Sequence, residues 1–175
     1  MKFNLDNALV ILERTPAILE TMLGDLSEIW IRANEGKGTW SPYDIIGHLI
    51  HGEKTDWMPR AEIILSDNPD KQFPEFDRFA QFEESKGKSL PELLKEFKKL
   101  REKNLALLKS KNLTAAHLAQ HGIHPSFGMV TLSQLLSTWV VHDLNHLSQI
   151  SRVMAKQYKE EVGPWISYLG ILQQK

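Results

Sequence analysis

Apolar residues recur at helical spacing through most of the chain. Leu5, Ala8, Leu9, Leu12, Ile18, Leu19, Met22 and Leu23 form one stripe, so a helix is expected over residues 4–26. Thr15-Pro16 interrupts it and predicts a kink or two abutting helices. Ser41-Pro42-Tyr43-Asp44 combines a cap hydroxyl, a first-turn proline and an acid at the positive helix end. A second helix should therefore run from there to about Leu65, bent at Pro59, after a loop containing Gly36 and Gly38. Ser89-Leu90-Pro91-Glu92 starts a third, reaching about Lys109 with Leu93, Leu94, Phe97, Leu100, Leu105 and Leu108 inward. Thr131 and Gln134 open a fourth, ending near Tyr158. Gly163-Pro164 breaks the pattern, and Trp165 to Leu172 reads as a short terminal helix.

Two connections stand out. Residues 66–88 carry the loop signals Asn68-Pro69 and Phe73-Pro74, then Phe73, Phe76, Phe79 and Phe82 at every third position. A structureless link of that length is unusual, so short helical turns are expected there. The rings would plug the bundle end or, as a second reading, wall a pocket. The stretch before the fourth helix, with His117, His121, Gly122, His124, Pro125 and Gly128, reads as a polar loop, and no Asn-Gly or Asp-Gly hairpin signal occurs. The expectation is an all-α fold: one domain over residues 1–175, a four-helix bundle with a long crossover between helices two and three.

Composition narrows the function. The 21 basic and 22 acidic residues leave a net charge of -1, giving no global field to hold nucleic acid. The Lys-rich run from Lys95 to Lys111 includes Glu96 and Glu102 and reads as a solvated face. No segment has the apolar length of a membrane span, and the opening residues do not read as a secretory leader. Cysteine is absent, which removes disulfides and protein thiolates and suits a reducing cytoplasm.

The seven histidines raise the question of a metal. His142 and His146 lie four apart, so on a helix they stack about 40° from one another and can converge on one ion. The pair alone is weak. Thr138, Asn145 and Gln149 add polarity to the same stripe, among Leu135, Leu136, Trp139, Val140, Leu144, Leu147 and Ile150. Polar groups aimed into a bundle need partners, which a metal and its surrounding hydrogen bonds would supply. His48, about two turns into the second helix among Ile45, Ile46, Leu49 and Ile50, is the candidate third ligand. Asp44, His51, His124, Asn145 and Gln149 are candidates for the surrounding shell or pocket, Gln149 the stronger. His117 and His121 read as solvated. Asp143, about 100° from His142, should meet a neighbouring helix, and Glu53 faces away from His48. No catalytic base is assignable.

These residues carry a resemblance. A His in the second helix after Trp-Ser-Pro, with HxxxH in the fourth, resembles the DinB-like/YfiT-like superfamily of metal-binding four-helix bundles. The similar segments are ERTP (13–16), TWSPYDIIGHLIHGEKTDW (39–57), FDRFAQFEESKGKSL (76–90), HPSFG (124–128), TLSQLLSTWVVHDLNHLSQI (131–150) and VGPWISYLGIL (162–172). The resemblance implies an open metal site on His48, His142 and His146, and a crossover after the second helix. It also implies a homodimer, without locating an interface. Zinc, nickel, iron or manganese would suit such ligands. The expected function is a metal-dependent enzyme on a small molecule, either a hydrolase or an S-transferase using an external low-molecular-weight thiol. The alternatives are a non-catalytic metal- or ligand-binding stress protein, braced by its metal, and a bundle without metal.

Overall fold

The structure is a computed structural model and describes residues 1–173. Four long helical rods form it: α1 (Leu5–Leu23), α3 (Pro42–Thr55) continued by α4 (Trp57–Leu65), α6 (Leu90–Ser110) and α8 (Leu132–Lys156). Single-turn helices α2 (Glu28–Arg32), α5 (Ala80–Glu84) and α7 (Ala115–Ala119) fill the connections. Reciprocal capping boxes fix three of the long starts, at Ser41/Asp44, Ser89/Glu92 and Thr131/Gln134. This is the anticipated four-helix bundle, with the long crossover between α4 and α6.

Pro16 does not split its helix, and Pro59 acts differently from expectation. Pro16 lies inside a single α1, where its missing N–H leaves the Leu12 carbonyl free. Arg101 Nη1 donates to that oxygen at 2.9 Å, so the gap is filled by a side chain from α6. The second rod breaks at Asp56 rather than at Pro59. Pro59 thereby occupies the first turn of α4, where an amide hydrogen has no intrahelical partner to lose.

Two further expectations are corrected. The polar loop contains a short antiparallel hairpin, β1 (His121–His124) and β2 (Gly128–Thr131), with His124 opposite Gly128. Its three-residue link, Pro125 to Phe127, is closed by Gly128 at φ 70°, a left-handed turn that glycine favours. The C-terminal segment forms two 3₁₀ turns, Gly163–Tyr168 and Gly170–Leu172, instead of one α-helix.

The apolar interior is divided into two clusters. One includes Leu12, Trp57, Met58, Leu105, Leu108, Leu136 and Trp139; the other includes Leu19, Ile46, Leu49, Leu93, Phe97 and Ile150. On α3, α6 and α8 the change between them falls at buried polar residues: Glu53, Arg101 with Asn104, and Asp143 with His146. A polar belt thus crosses the bundle at one level. In the crossover Phe73 is buried in the core, whereas Phe79 and Phe82 stay exposed. Lys71 and Phe73 tie the crossover to β1 through backbone bonds with Ile123.

Candidate metal centre

His48 projects from the middle of α3, and His142 and His146 project from one face of α8. His48 Nε2 and His146 Nε2 each lie 3.1 Å from His142 Nε2. The ligating nitrogens of all three lie within 4.8 Å of one another. The two rods therefore bring the three rings predicted as ligands to one point.

The outer nitrogens decide what the inner ones offer. His48 Nδ1 lies 3.1 Å from Gln81 Oε1, and His146 Nδ1 lies 2.8 Å from Gln149 Oε1. An amide oxygen only accepts, so each of these Nδ1 atoms carries the proton and each Nε2 presents a bare lone pair. His142 Nε2 sits between those two lone pairs and can donate to one at most. Its own Nδ1 is buried without a partner. Burial, and next their mutual proximity, hold His48 at about 4 and His142 at about 2; burial also lowers His146. Three neutral imidazoles with lone pairs facing a common point are a donor set for a divalent cation, and the residues fit that guest.

The surroundings are partly apolar. Trp40 lies 4.8 Å from His48, Trp57 meets His142 edge-on at 5.0 Å, and Phe76 meets His48 edge-on at 5.6 Å, centroid to centroid. Beyond the imidazoles opens a cavity of about 600 Å³, reached also by Asp56, Arg60, Arg78, His124, Ser126, Phe127 and Asn145. Gln81 comes from α5, which approaches α3 over Gly47. A Cβ at residue 47 would stand 2.4 Å from Ser85 Oγ, so the missing side chain permits the contact.

A sequence model described as the DinB superfamily matches residues 11–150. The chain belongs to the DinB superfamily. Among solved structures, this DinB-superfamily chain is similar to YfiT from Bacillus subtilis, described as a probable metal-dependent hydrolase with an unusual four-helix bundle topology. The likeness has a TM-score of 0.74 at 20% identity and covers 87% of this chain and 86% of that one. At that identity it speaks for the fold. No curated protein matches the sequence.

The remaining expected residues divide. Gln149 bonds His146, while Asn145 and His124 reach the cavity. His124 Nδ1 accepts from the Ser126 N–H, and burial lowers its pKa. Asp44 does not join the site, because its carboxylate is taken by the N–H and hydroxyl of Ser41 in the helix cap. His51 does not join the trio: its ring packs against Phe76 and its Nδ1 bonds Glu84 Oε1 at 2.8 Å. His117 caps α7, and His121 is exposed. Asp143 meets α6, where Arg101 Nη1 donates to its Oδ2 at 2.6 Å. Sequence reasoning missed Gln81, which lies 33 residues beyond His48 in the crossover. It also missed Arg101 and Asn104, which hold Glu53 beneath the site.

Proposed function

We propose that His48, His142 and His146 hold one divalent metal ion with a coordination position open to the adjoining cavity, and that the chain is a metal-dependent enzyme acting on a small molecule. The observation that carries this reading is the pair of 3.1 Å approaches around His142 Nε2, where lone pairs converge without enough protons to join them. Gln81 and Gln149 would keep the outer protons in place, so the ring orientations persist whether or not a guest is bound. Trp40, Trp57 and Phe76 limit water around the rings. His124, Ser126 and Asn145 offer polar atoms to a substrate at the mouth.

When bound, such a cation supplies Lewis acidity, which lowers the pKa of water or a thiol and polarises an ester, amide or similar centre. Hydrolysis and transfer of an external thiol to an electrophile both use that chemistry. One observation favours the thiol route as a second reading beside hydrolysis. Asp56 is the one carboxylate among the described residues lining the cavity, and Arg60 Nε holds it at 2.6 Å. Among the described residues no cavity carboxylate is free of an ion pair, so hydrolysis would draw on Asp56, whose pKa burial raises, whereas thiol transfer needs no carboxylate base. A non-catalytic, bracing role for the metal leaves the cavity without a use.

Elemental analysis of untagged protein purified without chelator tests occupancy. Loaded protein is then assayed on ester and amide panels, and on thiol with electrophile. Turnover should disappear in His142→Ala; unchanged turnover there rejects a role for the three histidines.

A further inference from the structure

The cavity beside the histidines has an unbalanced charge. Arg60 and Arg78 both line it, against the single carboxylate of Asp56. Arg60 is buried and engaged, its Nε on Asp56 and its Nη2 reaching the Pro74 carbonyl at 3.4 Å. Arg78 has no such partner: among the described residues no carboxylate pairs with it and no hydrogen bond holds it. The nearest acids along the chain, Glu75 and Asp77, line the neighbouring cleft with His51 instead. Arg78 nevertheless lines the same cavity as His48, His142 and His146.

A divalent ion on three neutral imidazoles would add two positive charges and no ligand carboxylate. The buried Glu53, Asp143 and Arg101 offset part of this from below, but all three are fully enclosed and cannot reach a ligand in the cavity. The positive charge left at the mouth is that of Arg78, whose planar fork suits an oxyanion with two acceptor atoms.

We propose that the small molecule taken by this cavity carries an oxyanionic group of the carboxylate or phosphate kind, and that Arg78 is the specificity-determining residue that pairs with it. This rests on the metal reading above, since the rest of the ligand would reach the open position. Trp40, Phe76 and Phe127 then flank the ligand's apolar part while the guanidinium fixes its charged end.

Calorimetric titration of zinc-loaded protein tests the assignment, with 3-mercaptopropionate, 2-mercaptoethylphosphonate and the neutral 3-mercaptopropionamide as probes. Zinc content is measured first on the same samples. At least one anionic probe should bind about tenfold tighter than the amide, the scale of a charge-assisted pair. Whichever anion shows the preference identifies the group. The preference should disappear in Arg78→Gln and survive in part in Arg78→Lys, and added salt should weaken the anion and spare the amide. Arg78 is exposed, so these variants should melt as the parent does. Equal affinities for all three probes on zinc-loaded protein, or an unchanged preference in Arg78→Gln, overturn the anion pocket and leave the metal centre standing. Failure to take up zinc, nickel, iron or manganese overturns the metal centre and this proposal with it.

Discussion

Two polar clusters interrupt the apolar interior, and α3 and α8 contribute to both. In one, Arg101 places all of its N–H groups: Nε and Nη2 on Glu53 Oε1, Nη1 and Nη2 on the Asp143 carboxylate, and Nη1 on the Leu12 carbonyl. Asn104 donates to Glu53 Oε2, and Trp139 Nε1 adds a third bond to Oε1. In the other, His142 faces two bare nitrogens and leaves one of its own without a partner. Burial alone does not separate these clusters. What separates them is whether the partners are present within the chain. The Arg101 cluster is complete and belongs to the fold, whereas the histidine cluster leaves lone pairs that a cation could take.

The comparison breaks most visibly at Arg101. Arg101→Met removes the guanidinium from between Glu53 and Asp143, both almost wholly buried, and leaves two enclosed carboxylates without a counterion. Urea denaturation should show a loss of about 3–5 kcal/mol. Zinc should not restore it, because the missing charge is on the wrong side of α8. A loss within the range of ordinary surface substitutions, about 0.5 kcal/mol, would place Arg101 outside the framework.

The histidine cluster should respond in the opposite sense. Withholding metal should leave a folded protein, and supplying it should stabilise it. At zinc a hundredfold above its dissociation constant, unfolding should require about 2.7 kcal/mol more than in chelator. His142→Ala should abolish this increment. If zinc and chelator give the same denaturation curve, the cluster is a hydrogen-bonded core feature like its neighbour.

Both clusters were partly legible in the sequence, for different reasons. His142 and His146 were visible because helical spacing alone sets two rings on one face. The cap at Ser41 fixed where α3 starts, and so where His48 falls on it. Gln81 was invisible, because only the crossover's path, which passes close over Gly47, brings it to His48. Arg101 and Asn104 left a signal that was overlooked. They fall on the stripe of Leu94, Phe97, Leu105 and Leu108, and so fill the gap in its inward row. A cation there reads as part of the Lys-rich face unless that position is noticed. The hairpin escaped because Pro125 and Gly128 close a three-residue link rather than an Asn-Gly turn.

A smaller effect sharpens the same contrast. Gln81→Leu and Gln149→Leu each remove an acceptor that fixes the proton on the outer nitrogen of a ligand ring. Metal affinity, measured by competition with a chromophoric chelator, should fall about 10–100-fold in each. Neither glutamine contacts the Arg101 cluster, so stability in chelator should change far less than in Arg101→Met. Undiminished affinity in both variants would make the glutamines bystanders and leave the orientation of the rings to packing alone.

The smallest effect calibrates the scale from outside the belt. Glu35 accepts from Arg152 Nε and Nη2, both at 2.8 Å, and from Lys156 Nζ at 2.7 Å. These cations hold its pKa near 2, below the ordinary 4.5, with the Arg152 hydrogen bonds the main cause. A depressed carboxylate stabilises the fold fully above its unfolded pKa, and the benefit fades as pH falls from about 4.5 toward 2. Glu35→Gln should therefore lower stability at neutral pH by about 1 kcal/mol and flatten the acid limb of the stability curve over that window. Zinc affinity and the effect of Arg101→Met should stay as they were. Additivity of this substitution with Arg101→Met and with His142→Ala would show that the belt's clusters act locally, each through its own partners, and that the zinc increment is not a general response of the bundle to added charge.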